Sequence, residues 1–281
     1  MADPRVLVVA VLVASLIPIC ANGQDSSVRS PESTWVQGAD YRLHANVFTG
    51  DKVSEQPVLL VVLHGDQPRN PSCPTKECGE PDYQDAFAAK GAAGRDVIAV
   101  GLLRPGYTDP RGNTSDGVRG ETTGDNYNTR NTDAIAAAIV ELKRRYHSRQ
   151  VVIAGHSGGA AIAANILARH SNLIDAALLV SCPCDVEKWR EHMFQRTQYS
   201  GFLRPVDTLS PIDLIDGLSK QVAVTMMVGS EDTIAPPSLS ESYQAKAVKL
   251  GKRVRLVRVD GKEHDIFLDA AVFAELARVL K

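Results

Sequence analysis

Residues 57–63 read Pro57-Val58-Leu59-Leu60-Val61-Val62-Leu63, an apolar run with no polar break that ends at His64-Gly65. A strand with one face in water alternates in polarity. An unbroken run is apolar on both faces and belongs inside a parallel sheet covered by helices on each side. Further strands are expected at 96–103, 150–154, 176–181, 222–229 and 253–259. Helical stretches lie between them, over 82–90, 160–170, 238–250 and 266–280. One more carries Ile135, Ala138, Ile139, Leu142 and Tyr146 at helical spacing, with Thr132 or Asp133 as its cap. Tyr41 to Phe48 alternates like an edge strand. Strands alternating with helices require right-handed crossovers, so the expected fold is α/β, with a mostly parallel sheet and helices on both faces.

In such a sheet the chemistry sits beyond the carboxyl ends of the strands. Three residues stand there with the types that acyl transfer needs. Ser157 lies in Gly155-His156-Ser157-Gly158-Gly159, between a strand and a helix, where a sharp turn lifts the hydroxyl clear of the backbone. Asp232 follows the run at 222–229, in Gly229-Ser230-Glu231-Asp232, and can hold an imidazole in the tautomer that accepts a serine proton. Glu231 is its neighbouring alternative. His264 follows the strand ending at Val259, and imidazole is the natural proton carrier near neutral pH. His156 adjoins the nucleophile but is expected to pack under the turn. His64 is expected to shape the loop after its strand. The oxyanion donors should be the backbone N–H groups of Gly158 and Asp66. The implied reaction is two-step acyl transfer with no metal or organic cofactor.

These motifs resemble the α/β-hydrolase superfamily, and most nearly its prolyl-oligopeptidase-like and dienelactone-hydrolase-like branch. The resemblance rests on His64-Gly65, Arg104-Pro105-Gly106-Tyr107, the elbow at 155–159, the acid loop with Pro236-Pro237, and the histidine loop at 261–265, and it covers the chain after about Thr34. It implies a serine hydrolase whose triad runs Ser, Asp, His in chain order. The chain has no room for the propeller domain of true prolyl oligopeptidases, which leaves peptide specificity open. A carboxylesterase is the first expectation and a peptidase acting on short peptides or aminoacyl amides the second. An acyltransferase or a non-catalytic binding protein on the same fold comes behind. The expected substrate is a small ester or short peptide.

The remaining features concern export and the rim of the site. Val6 to Cys20 is an uncharged stretch of roughly 15 residues behind Arg5, interrupted by Pro18, and the chain turns polar at Asn22. This reads as a signal peptide over 1–23, followed by a linker over 24–33, with the enzyme secreted or periplasmic. A membrane anchor and a lipoprotein acylated on Cys20 are the alternatives. No stable membrane span is expected after cleavage. The formal net charge of −2 and the lack of basic runs argue against nucleic acid. Four cysteines would remain, Cys73, Cys78, Cys182 and Cys184. The Cys-Pro-Cys spacing looks too tight for an internal bridge, so the expectation is a Cys73–Cys78 bridge or two bonds crossed to Cys182 and Cys184. A zinc site would want a different spacing. The segment 185–218 breaks the strand–helix rhythm and reads as a small helical cap on a hydrolase domain spanning 34–281. Tyr107 in the long loop, with Trp189 and Phe194 in the cap, are the candidate substrate contacts.

Overall fold

The computed structural model describes residues 31–67, 82–120 and 123–281. The segment read as a signal peptide, with Cys20, and the loop holding Cys73 and Cys78 lie outside the described residues. One sheet of eight strands runs in the order β1 (Glu32–Gly38), β2 (Tyr41–Thr49), β4 (Val97–Leu102), β3 (Val58–Leu63), β5 (Gln150–His156), β6 (Ala176–Val180), β7 (Ala223–Gly229), β8 (Val254–Val259). β2 pairs antiparallel with both β1 and β4, and every pair from β4 to β8 is parallel. This is the α/β-hydrolase fold.

The unbroken apolar runs explain the layers. Along β3, Leu59, Val61 and Leu63 enter one core while Val58, Leu60 and Val62 enter the other. The first core is closed by α2 (Thr129–Arg145), α3 (Gly158–Arg169) and α6 (Pro237–Lys249). The second is closed by α1 (Tyr83–Ala92) and α7 (Ala270–Val279). Burying each such side chain contributes about 1.5–3 kcal/mol relative to leaving it in water. β8, at the far edge, is only half-buried along most of its length. Among the described residues no helix is long and apolar enough to cross a membrane.

Three local expectations change. β2 is not an edge strand, because β1 lies outside it and begins within the stretch read as linker. The cap of α2 is Asn128 rather than Thr132 or Asp133, since its side chain accepts the Asn131 N–H at 2.9 Å and starts the helix at Thr129. The third concerns the cysteines. Cys182 and Cys184 are joined to each other across Pro183, with Cα atoms 5.1 Å apart. That separation is within disulfide range, because the chain turns tightly here after Ser181, whose φ is +52°. The spacing is therefore not too tight, and the crossed arrangement is replaced by this local one.

The cap comprises α4 (Val186–Thr197), a 3₁₀ turn over Ser200–Leu203, and the short α5 (Pro211–Leu214) with a second turn behind it. α4 is capped by Asp185, which accepts the Lys188 N–H. Buried Arg190 ties the cap to the long loop after β4. It pairs with Asp125 and donates to the carbonyls of Gly201 at 2.9 Å and Arg204 at 2.7 Å.

Candidate active site

β5 runs straight into the elbow, where Ser157 takes φ +52° and ψ −121° before α3 begins at Gly158. Such a backbone costs of order 1–3 kcal/mol for a residue with a side chain and persists only when its surroundings enforce it. Here they do. A Cβ on Gly155 would lie 2.5 Å from the Gly159 carbonyl oxygen, and one on Gly159 would lie 2.4 Å from that of His64. Only hydrogens fit where the strand, the turn and the oxyanion loop cross. The serine side chain thus stands at the helix N-terminus, whose free N–H groups favour negative charge.

Asp232 and His264 come together from the loops after β7 and β8. The Asp232 carboxylate is 3% exposed. Its oxygens lie 3.0 and 2.9 Å from His264 Nδ1. Its Oδ1 also accepts the N–H groups of Ile234 at 2.9 Å and Ala235 at 2.8 Å. Buried carboxylates need such partners, and these fix the acid while leaving it an oxygen for imidazole. The His264 ring lies beside the elbow, 5.1 Å from the ring of His156. Among the described residues Ser157 Oγ makes no hydrogen bond in this structure. A nucleophile–base link that is open without substrate closes in the Michaelis complex.

The oxyanion loop is braced from below. His64 is fully buried, and burial holds its imidazole well below the usual range, with the Arg104 charge adding to the effect. Its Nε2 accepts the Arg104 N–H at 3.1 Å, so Nδ1 carries the proton and donates to the Gly65 carbonyl at 2.8 Å. The Arg104 guanidinium donates to the His64 carbonyl at 3.0 Å and to Asp66 at 2.8 Å. Tyr127 donates to the other Asp66 oxygen, and Tyr107 lies 3.4 Å from the first. Burial pushes the Asp66 carboxyl up, against the pull of Arg104 and the Tyr127 hydroxyl. The carboxylate rests directly on Gly158, where a Cβ would stand 2.3 Å from both of its oxygens. Among the described residues the Asp66 and Gly158 N–H groups, one in the loop and one at the first position of α3, have no backbone partner, as an oxyanion hole requires.

Asp232 and His264 are thus paired beside the elbow that carries Ser157. The candidate substrate contacts are placed differently. Tyr107 is 1% exposed and packs edge-on against His64. Trp189 joins Phe202, Ala235 and Leu239 in a small apolar cluster and donates its indole N–H to the Ile234 carbonyl, while Phe194 packs against the same cluster. These rings fasten the cap to the acid loop. A cavity of about 440 Å³ lies instead between the long loop and the cap, with Arg119, Thr123, Asp125, Tyr199 and Arg204 in its wall. A second cavity, of about 300 Å³, has His264 itself in its wall. His156, His264 and Asp265 bring possible metal-ligand atoms within 4.8 Å of one another, but both His156 nitrogens are already hydrogen-bonded. Sequence reasoning missed Arg104 as a brace. The available signal was a charged residue directly after the apolar run Val97–Leu103, where a buried guanidinium must find an anion.

Known proteins match this arrangement. A family model described as the prolyl oligopeptidase family covers residues 107–281, well over half of the chain. A comparison with curated proteins finds no match. Among solved structures, the fold is similar to acylaminoacyl peptidase of Pyrococcus horikoshii, with 14% identity and a TM-score of 0.63 over 89% of this chain and 40% of that one. It is also similar to a puromycin-hydrolyzing peptidase of Mycobacterium tuberculosis, with 17% identity and a TM-score of 0.67 over 89% and 39%. A third is Est1E of Butyrivibrio proteoclasticus, solved with ferulic acid, with 17% identity and a TM-score of 0.65 over 88% and 98%. The chain spans about two fifths of the length of the two peptidases. It is a serine hydrolase, and it belongs to the prolyl oligopeptidase family.

Proposed function

We propose that this serine hydrolase is an exported carboxylesterase that cleaves small esters through Ser157, His264 and Asp232. The observation that carries the catalytic part is the buried Asp232 carboxylate on His264 Nδ1 beside a serine held at positive φ. With Nδ1–H held by Asp232, Nε2 is left bare to take the Ser157 proton as the hydroxyl oxygen attacks the ester carbonyl. The tetrahedral oxyanion is received by the N–H groups of Gly158 and Asp66. His264 returns the proton to the leaving alkoxide, and water then releases the acyl group by the same steps. The cavity that has His264 in its wall takes one arm of the substrate.

Two considerations support an ester over an amide. An alkoxide leaves more readily than an amine, so it asks less of the general acid. The structural neighbours also include an esterase, Pf2001 of Pyrococcus furiosus. The family match favours a second reading, a peptidase acting on short peptides or aminoacyl amides. Export rests on the apolar stretch Val6–Cys20 and the paired cysteines at 182 and 184. The test is fluorophosphonate labelling, then matched panels of p-nitrophenyl esters and aminoacyl p-nitroanilides. A kcat/KM at least tenfold higher on the best ester supports the esterase, and the reverse order makes the enzyme a peptidase. N-terminal sequencing of the mature protein should begin near residue 24, and a retained Met1 would refute export by signal cleavage.

A further inference from the structure

We infer that His156 and Tyr83 are positioning residues that tie the oxyanion loop to the general base through one directional chain of hydrogen bonds. The Gly65 N–H can only donate, and it meets the Tyr83 hydroxyl oxygen. The Tyr83 hydroxyl lies 3.0 Å from His156 Nδ1, and His156 Nε2 lies 3.2 Å from the backbone carbonyl of His264. A carbonyl can only accept, so Nε2 carries the imidazole proton. Nδ1 is then bare and accepts from Tyr83, whose oxygen accepts from Gly65. A single proton arrangement satisfies every member, and it requires a neutral His156. Burial, then the neighbouring His264, lowers this imidazole to about 4, so it stays neutral across the working range.

Each end of the chain fixes a working part. At one end it orients the peptide that precedes the Asp66 N–H. At the other, the His264 carbonyl also accepts from Ser181 Oγ at 2.9 Å and from the Ile266 N–H at 2.9 Å, so three donors converge on it. The His156 ring is held flat against Phe267, which stacks on Phe87. Neither side chain contacts the reacting atoms. They set the distance between the base and the oxyanion donors.

This inference rests on the proposed triad. Its test uses the full-length enzyme with Tyr83→Phe, His156→Leu and His156→Gln, and with Ser157→Ala as reference. Tyr83→Phe and His156→Leu should lower kcat about tenfold to a hundredfold with KM within about twofold, the scale of a misplacement of about 1 Å. His156→Gln should recover most of the loss, because its carboxamide offers one donor and one acceptor. Tyr83→Phe keeps the ring and its packing, so it remains readable if His156→Leu does not fold. Tyr83→Phe with wild-type kcat, or His156→Gln no better than His156→Leu, overturns the inference while Ser157→Ala remains inactive. An active Ser157→Ala overturns the triad instead.

Discussion

Two aspartates flank the elbow, Asp232 buried and Asp66 largely so, and their partners give them opposite uses. Asp232 is held by two backbone N–H groups and turns toward an imidazole that must gain and lose a proton. Asp66 is held by Arg104 and a tyrosine hydroxyl, partners that stay protonated in the working range, and its charge is spent on shape. The same side chain is thus part of the proposed reaction in one loop and a brace in the other. The difference teaches that role follows from what the carboxylate faces, not from burial or from distance to the serine.

Substitutions can break this comparison, and Ser157→Ala should have the largest effect. Turnover of the best ester should fall by about 10⁴-fold or more, fluorophosphonate labelling should vanish, and the melting temperature should hold, since one hydroxyl at a turn packs nothing. Asp232→Asn comes next, with kcat down by about 10⁴-fold from loss of the correct tautomer. Glu231→Gln should leave kcat near wild type, and the reverse order would move the acid to Glu231. Arg104→Met should act in the other direction. Asp66 would lose its cation inside the fold, costing about 3–5 kcal/mol by denaturant unfolding, with a smaller loss of kcat than Asp232→Asn. A variant of Arg104 that is as stable as wild type would show that Asp66 is not a structural brace.

A third carboxylate sharpens the contrast because it has neither kind of support. Asp85 accepts from Asn46 at 2.6 Å, while its other oxygen is buried with no partner among the described residues. Burial pushes its carboxyl up to about 7, against the Asn46 hydrogen bond. The folded state therefore binds the proton more tightly than the unfolded chain. This contribution to stability is fully present at acid pH and is lost as the pH rises through about 7. Asp85→Asn should be more stable than wild type at pH 8, and the gap should narrow steadily as the pH falls from 7 toward 4 in parallel thermal melts. A gap that is unchanged or widens toward acid would refute the assignment.

The strands were legible because a run such as Val58–Leu63 has few other places to go. The pairing of Asp232 with His264 near Ser157 was legible because each of the three follows a strand at the same edge of the sheet. What escaped reading has a common cause. The Asp66–Arg104–Tyr127 brace and the Gly65–Tyr83–His156 chain join single polar residues from distant segments, and no period in the sequence marks such meetings. β1 escaped because its polarity is that of an edge, with Trp35 partly in water. The cap aromatics misled for a simpler reason. Trp189 and Phe194 look like pocket linings in a list of residues, but rings on a short helix first satisfy the helix's own packing. The cysteine pair was read as spaced too tightly for a bridge, but the chain turns after Ser181 and leaves their Cα atoms 5.1 Å apart.

The contact between the Asp66 carboxylate and Gly158 limits how the sequence can drift. A methyl group at 158 has no space while that carboxylate is in place, so Gly158→Ala alone should be costly. Asp66→Gly clears the space and abandons Arg104. Each single step descends, whereas the double change combined with a neutral residue at 104 relieves both faults at once, because residues in contact do not act additively. Positions 66, 104 and 158 form one heritable unit, and functional variants selected from a library randomised at all three should change them together rather than one at a time.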